Sequence, residues 1–474
     1  MRKVGTAGVG RQASQIELPL EWDVSSDTAS AAEAPHGDRP SGAAKPAEEG
    51  RPKRQKWYSL YDKVYAPKNL EEAWKRVRSN RGAPGWDRET IQAFEAHAEA
   101  NLQRLHEELR TKRYRPQPAR RKEIEKPDGG LRPLGIPCVR DRIAQQAVVQ
   151  VLTPIYDPEF SDGSHGFRPQ RGPQTAQRAV DLAIWEGGAW VVDADVTKFF
   201  DTVDHEMLLD RLSERIADGS VLKLIRLFLK CGVVMEWGEV QPTEIGTPQG
   251  GPLSPLLANI YLDPLDKTLD EQGFRMVRYA DDFVLFTWTR ERAEEALEVV
   301  REIFQRLKLH LHPEKTRVAA VEEGFDFLGY HYYRDAKGRL QKAVSRKKRQ
   351  KFREKIRRLT KRRAGQKRRN PKRCTVHRLK RNQRVQKVVA DINEYLRGWH
   401  AYYRHARTAG REAYFDRFDR FVRTRLRHLI SGRFAQGRWK SILPNELFEE
   451  IGLTSLQALQ QSWLEQLPSP PRRG

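Results

Sequence analysis

Two apolar segments of this chain carry carboxylates where a buried strand would end, and few architectures accommodate such a pattern. In WVVDADVTKFFDTVDHEMLL the apolar run from Trp190 predicts a buried strand. Asp193 and Asp195 fall two residues apart on it and so share one face. In FRMVRYADDFVLFTW, two runs rich in aromatic residues and Val flank Tyr279-Ala280-Asp281-Asp282. That pattern predicts a hairpin whose turn holds two adjacent carboxylates, although the turn lacks the Asn-Gly or Gly-Gly pair that hairpins favour. Neighbouring carboxylates raise one another's pKa and resist joint ionisation unless a cation neutralises them. Hard oxygen ligands from two strands suit two Mg²⁺ ions about 3.5–4 Å apart, which activate an attacking hydroxyl and stabilise a leaving pyrophosphate. An Asp-Asp pair alone could be an ordinary polar turn; the aromatic flanks and the second acidic strand argue against that.

The rest of the chain favours a polyanionic partner. Its 474 residues suggest about three domains, and 87 Lys+Arg against 63 Asp+Glu leave a formal net charge of +24. That charge is concentrated. Residues 342–387 hold 23 Lys or Arg and a single acid, Glu354, for a local net charge of +22. Phe352, Ile356 and Leu359 recur there at helical spacing, which predicts a helix with a thin apolar stripe and cations elsewhere. Such a face suits a phosphate backbone and supplies affinity and salt dependence rather than sequence choice. Arg346, Lys347, Lys348 and Arg349 are the candidate contacts. Cys138, Cys231 and Cys374 form no CxxC pair, which argues against a zinc module or disulfide framework. No apolar run approaches the roughly 20 residues a membrane helix needs, and no leader-like stretch follows Met1-Arg2-Lys3. The expectation is a protein with no membrane partner, in the cytoplasm and, in a bacterium, associated with the nucleoid. Residues 1–56, rich in Ala, Ser, Gly and Pro, are expected to be a disordered arm. Order should begin near Trp57, with Asn69 capping the helix that carries Trp74 and Val77.

The segment ARRKEIEKPDGGLRPLGIP predicts two strands joined at Asp128-Gly129, with cations on both arms. GTPQGGPLSP predicts a Gly/Pro-rich turn leading into a helix, with Ser254 as cap and Pro255 at the first helical position. It is no P-loop, because no Lys follows the glycines.

YADD followed by FVLF resembles the catalytic hairpin of reverse transcriptases, and DVTKFFD resembles their preceding catalytic strand. With KPDGGLRPLGIPCVRDRIAQQAV, SHGFRPQRG, GTPQGGPLSPLLANIYLDPLD, HPEKT, FDFLGY and LRGWHAYYRHA, the chain resembles bacterial group II intron-encoded reverse transcriptase/maturases from about Leu60 to at least Ile430. The resemblance implies an α+β, right-hand polymerase: helical and hairpin fingers, an antiparallel-sheet palm, and a helical thumb/maturase domain. The expected divisions are residues 57–335 for fingers and palm, 336–430 for the basic thumb/maturase domain, and 431–474 for a short C-terminal extension. That extension holds neither CxxC nor clustered His, so no endonuclease domain is expected in it.

By the same resemblance Asp195 and Asp281 are metal ligands and Asp282 completes the acidic set, while Asp193 is the weaker match. Phe200 is the aromatic gate under the sugar, with plain core packing as its alternative. Lys126 and Arg132 would clamp the incoming triphosphate, and Gln249 would contact the nascent base pair. Lys315, in HPEKT, would protonate the leaving pyrophosphate. The implied activity is RNA-directed DNA synthesis from dNTPs on an RNA template and DNA primer, with intron RNA and target DNA as further partners in splicing and retromobility. Rival readings are a maturase that acts only in splicing and a host-domesticated reverse transcriptase in repair or defence. The aromatics of LRGWHAYYRHA are expected in a helix-bundle core rather than on RNA.

Overall fold

The computed structural model describes residues 56–125, 131–235, 238–248, 250–362, 375–406, 414–431 and 443–466. The chain divides into two compact units, one of residues 1–182, 192–285 and 291–317, the other of residues 183–191, 286–290 and 318–474. The expected arm falls almost wholly outside the described residues.

In the first unit, helices Tyr61–Tyr65, Pro67–Ser79 and Ala98–Arg110 lie against Val139–Tyr156. Leu70, Ala73, Trp74 and Val77 recur at helical spacing along one buried face of Pro67–Ser79, where Trp74 meets Phe94 with ring centroids 4.8 Å apart. Asn69 does not cap this helix. Pro67 occupies the first turn and Ala66 precedes it without a side-chain bond. Asn69 instead donates to the carbonyls of Val64 (3.0 Å) and Ala147 (3.1 Å), and accepts from Gln150 at 2.7 Å, which ties three helices together.

Strands β1 (Ala119–Glu125) and β2 (Leu131–Ile136) pair antiparallel as expected, with Arg120 opposite Ile136 and Glu125 opposite Leu131, while the expected turn at Asp128-Gly129 lies outside the described residues. A second sheet begins with β3 (Trp190–Asp195). Strands β4 (Val233–Val234) and β5 (Val240–Gln241) complete the first sheet in the order β2-β1-β4-β5, with β4 parallel to β1. The second sheet adds β6 (Arg275–Tyr279), β7 (Asp282–Thr287) and β8 (Arg317–Ala320), in the order β6-β7-β3-β8. Val192 and Ala194 of β3, Val277 of β6, and Val284 and Leu285 of β7 are fully buried. This explains how acids can stand at the strand ends: a continuous apolar core fixes the strands beneath them.

Helix Ser254–Glu271 is buried along most of its circumference. Its start departs from expectation. Leu253 precedes the helix without a side-chain bond, and the Ser254 hydroxyl donates to the Pro248 carbonyl at 2.7 Å, closing the GTPQGGPLS loop rather than capping the helix.

The second unit contains an antiparallel sheet of β9 (Phe325–Phe327), β10 (Tyr330–Arg334) and β11 (Leu340–Val344), in the order β11-β10-β9. Helices Arg346–Leu359, Val376–Lys380, Gln383–Tyr403, Asp416–Ser431, Asn445–Glu450 and Leu456–Glu465 follow. Phe352 meets Trp399, Phe418 and Tyr395 at 4.8, 5.1 and 5.7 Å. Ile392, Leu396, Trp399 and Tyr403 are buried, so the LRGWHAYYRHA aromatics that are buried serve the core as expected.

Candidate functional site

The acids meet at the ends of β3 and the β6–β7 hairpin. Asp193 and Asp195 are both half-buried, on the same face of β3, while Val192 and Ala194, which alternate with them, are buried in the core. The hairpin turns through Ala280, at φ +60°. This left-handed conformation is uncommon for a residue with a Cβ. Asp281 and Asp282 follow immediately and are half-buried. Burial pushes the Asp282 carboxyl up to about 7, and the charges of Asp193, Asp281 and Asp195 add to that in this order. Four carboxylates therefore act on one small region, and Asp193 contributes more to the field at Asp282 than its sequence setting suggests.

Lys315 arrives from a separate segment. The chain beyond the helix Arg290–Arg306 runs back along the end of β3: Thr197 N donates to His310 O at 2.8 Å, and His312 N donates to Asp195 O at 2.8 Å. The HPEKT turn closes on His312 O, which accepts from Thr316 N at 3.0 Å. Lys315 Nζ is thereby brought to Asp195 Oδ2 at 2.9 Å. Both side chains are about half exposed, 59% and 42%, so the pair is accessible from solvent. Arg317 Nε lies 3.8 Å from Asp193 Oδ2. The spacing of the motifs gave no hint of either ion pair.

Phe200, in the short helix Phe199–Thr202, is 8% exposed and meets Phe199 edge to face at 5.2 Å. Its carbonyl accepts from Thr247 N at 2.7 Å, so the Gly-rich loop is fastened to the segment that carries the predicted gate. Gly246 makes this approach possible: at φ +85°, a Cβ there would stand 2.8 Å from Phe200 O. The Gly246 carbonyl is also 2.6 Å from the ring Nε2 of buried His205.

Not every predicted residue joins this group. Lys126 and Gln249 lie outside the described residues. Arg132 sits on β2 opposite Ile124. Arg346, Lys347, Lys348 and Arg349 form the first turn of Arg346–Leu359 in the second unit, where Arg346 and Lys347 are exposed and Lys348 and Arg349 are half-buried. Burial lowers the Lys348 ammonium below its ordinary value, helped by Lys347. Lys342, at the head of the cationic segment, is 3% exposed, with its ammonium 4.8 Å from the Tyr330 ring and 5.2 Å from the Tyr332 ring. Reasoning from sequence also passed over Arg278, which is fully buried one strand position before the acidic turn's Tyr279. The available signal was a guanidinium set between Val277 and Tyr279 in a strand expected to be buried, a residue type almost never buried without partners.

Among the described residues, no group of three or more His, Cys, Asp or Glu side chains could hold a metal ion by itself. No helix among them is long and apolar enough to cross a membrane.

Two family models match the chain. Residues 124–332 match the family described as reverse transcriptase (RNA-dependent DNA polymerase), and residues 366–446 match the group II intron, maturase-specific domain. Protein YkfC of Escherichia coli (strain K12) is 35% identical over 312 residues, which cover 57% of this chain and 82% of YkfC. The group II intron-encoded protein LtrA of Lactococcus lactis subsp. cremoris is 38% identical over 263 residues, covering 55% of this chain and 42% of LtrA. The chain thus matches less than half the length of LtrA. Among solved structures, a partial Cas6-RT-Cas1–Cas2 complex is similar over 52% of this chain and 42% of that one, at 28% identity and a TM-score of 0.34.

Proposed function

The chain belongs to the group II intron reverse transcriptase/maturases, a family of RNA-directed DNA polymerases that bind nucleic acid, and from that premise we propose how its residues divide the work. The reaction is addition of dNTPs to the 3′ end of a DNA primer along an RNA template. The observation that carries this reading is the approach of Lys315 to Asp195 at the strand ends that also present Asp281 and Asp282.

Asp195 and Asp281 are the residues that would hold Mg²⁺, with Asp282 completing the negative field. This donor set suits the ion, because Mg²⁺ is commonly held by one or two carboxylates together with substrate phosphates and water rather than by an all-protein cage. When bound, two such ions supply activation of the primer 3′-hydroxyl and charge neutralisation at the leaving pyrophosphate. The bond from the 3′ oxygen to the α-phosphorus forms, the hydroxyl proton passing to water, as the bond from the α-phosphorus to the bridging oxygen breaks. Lys315 donates the proton that the departing pyrophosphate oxygen takes up, after exchanging its bond to Asp195 for one to the phosphates. Phe200 presents a hydrophobic floor to the sugar and rejects a 2′-hydroxyl. Lys126 and Arg132 hold the triphosphate, a point charge and a planar fork suited to phosphate oxygens in different ways. Gln249 contacts the base pair being formed.

The cationic segment and the helices after it bind intron RNA through phosphates and shape, assisting splicing and retromobility at a target DNA. The protein works in the bacterial cytoplasm, associated with the nucleoid.

Primer extension on an RNA template with dNTPs and Mg²⁺ tests the central claim. Asp281→Ala should abolish product while the circular dichroism spectrum and melting temperature hold. Unchanged synthesis would sink the assignment. Splicing of the neighbouring intron transcript, measured separately with the same variant, should persist, since the RNA carries that chemistry.

A further inference from the structure

Arg278 is a buried charge of the first unit whose every donor is engaged. Its side chain and those of Asp266, Asn259 and Ser164 are all 0% exposed. Its five N–H bonds meet five acceptor contacts. Nε donates to Asp266 Oδ1 at 2.8 Å, and one Nη2 bond goes to Asp266 Oδ2. The other Nη2 bond reaches Ser164 Oγ at 2.9 Å. Nη1 donates to Asn259 Oδ1 at 3.0 Å and to the Ala280 carbonyl at 2.8 Å. No donor is left over.

The acceptors come from three places in the fold. Asp266 and Asn259 belong to the helix Ser254–Glu271. Ser164 belongs to SHGFRPQRG, whose backbone runs along the outer edge of β6: Arg278 N donates to Gly163 O, and His165 N donates to Arg278 O, both at 2.8 Å. This segment passes so close that a Cβ on Gly166 would stand 2.3 Å from Ala280 N. Asn259 fastens the same segment to the helix by donating to Gly166 O at 2.8 Å. The third acceptor is the turn itself. Ala280 is the residue at φ +60°, and its carbonyl belongs to the peptide that leads into Asp281.

We propose that Arg278 is a positioning residue for the polymerase site: its guanidinium, locked by Asp266, Asn259 and Ser164, grips the Ala280 carbonyl and holds that residue in the left-handed conformation that presents Asp281. A fully hydrogen-bonded planar fork can fix one carbonyl against two other elements, which a lysine cannot do with the same geometry. Misplacement of a reacting group by about 1 Å costs about a hundredfold in rate, so loosening this turn should act on the chemical step. Binding of nucleotide or primer-template does not run through these contacts.

The inference rests on the assignment of Asp281 to the polymerase site, and one assay separates the two. Arg278→Met combined with Asp266→Leu removes both buried charges together, which avoids the uncompensated charge a single change would leave. In single-nucleotide incorporation, kcat should fall about a hundredfold, with KM for dNTP and Kd for primer-template within about threefold in a protein that melts cooperatively. Adding Ala280→Gly should recover about fivefold of the lost rate, because glycine takes the left-handed conformation without steric cost. A folded double variant with near-normal kcat, a loss confined to KM, or no recovery with glycine would each overturn the proposal. Should the double variant not fold, Asn259→Ser, which keeps the ion pair, decides: a several-fold loss of kcat at constant KM supports the role, and unchanged kcat overturns it. If Asp281→Ala retains synthesis, the polymerase assignment itself has failed. If Asp281→Ala is dead and the Arg278 variants are active, only this inference has.

Discussion

Asp141, on the helix Val139–Tyr156, is 1% exposed, accepting from the Tyr114 hydroxyl at 2.6 Å and from Gln117 N at 2.9 Å. Burial nevertheless pushes its carboxyl from 3.8 up to about 6, because those donors and Arg140 offset only part of the lost hydration. The folded pKa exceeds the unfolded one, so the stability this residue contributes is full below about pH 4 and is lost as pH climbs through 6. The loss is about 3 kcal/mol, at about 1.4 kcal/mol per unit. Tyr114→Phe removes a hydrogen bond to the ionised form, worth about 1.5–3 kcal/mol, and raises the Asp141 carboxyl further. Urea unfolding should therefore show a larger deficit for Tyr114→Phe at pH 8 than at pH 4. An equal deficit at both values would mean that Asp141 stays neutral throughout.

The helix Arg346–Leu359 shows how an element sorts charges that look equivalent in sequence. Phe352 and Ile356 are buried, which fixes the helix rotation and leaves Arg346, Lys347, Arg353, Arg357 and Arg358 exposed while Lys348 and Arg349 are half-buried. Lys342, on β11, is withdrawn altogether against two tyrosine rings. Each phosphate contact contributes about 0.7–0.9 to the slope of log K against log salt. Neutralising Arg346 and Lys347 to Gln should flatten the slope for intron RNA or template-primer by about 1.5, read by filter binding across a salt series. Lys342→Gln should leave that slope unchanged and lower the melting temperature instead. If all three changes act alike on the slope, the cations work as a diffuse cloud rather than through the exposed face. At this scale periodicity was a good guide: both hairpins and the Phe352–Ile356 stripe were legible, because strand and helix periods are local properties. Cap positions were not. Asn69 and Ser254 form bonds to Ala147 and Pro248 that local rules do not register.

Across the whole molecule, the acids were legible because their motif sets them beside buried strands, whereas their supports come from distant sequence. Lys315 meets Asp195 across 120 residues, and Arg278 meets Ser164 across 114; no local period encodes either. The same applies to residues 443–466, whose sequence carries no chemical motif. In the structure they complete the second unit. Buried Asp419 accepts from Ser455 Oγ, Leu456 N and Gln457 N at 2.7–3.0 Å, capping the helix Leu456–Glu465 from another helix. Asn393 donates to Gly452 O and accepts from Thr454 N, and Arg427 donates to Leu443 O and to Asn445 Oδ1. Leu443, Leu447, Phe448, Ile451 and Leu456 are buried alongside. Each such apolar side chain is worth about 1.5–3 kcal/mol, and each orphaned buried polar group costs about 1–3 kcal/mol. Together they rival the about 5–15 kcal/mol that stabilises a typical domain. A chain ending at Ser431 should therefore lose the cooperative calorimetric transition of the second unit. Phe448→Ala in the full chain should lower it by about 3–5 kcal/mol without abolishing it. An unaltered calorimetric profile after truncation would mean that residues 443–466 rest on the unit without supporting it.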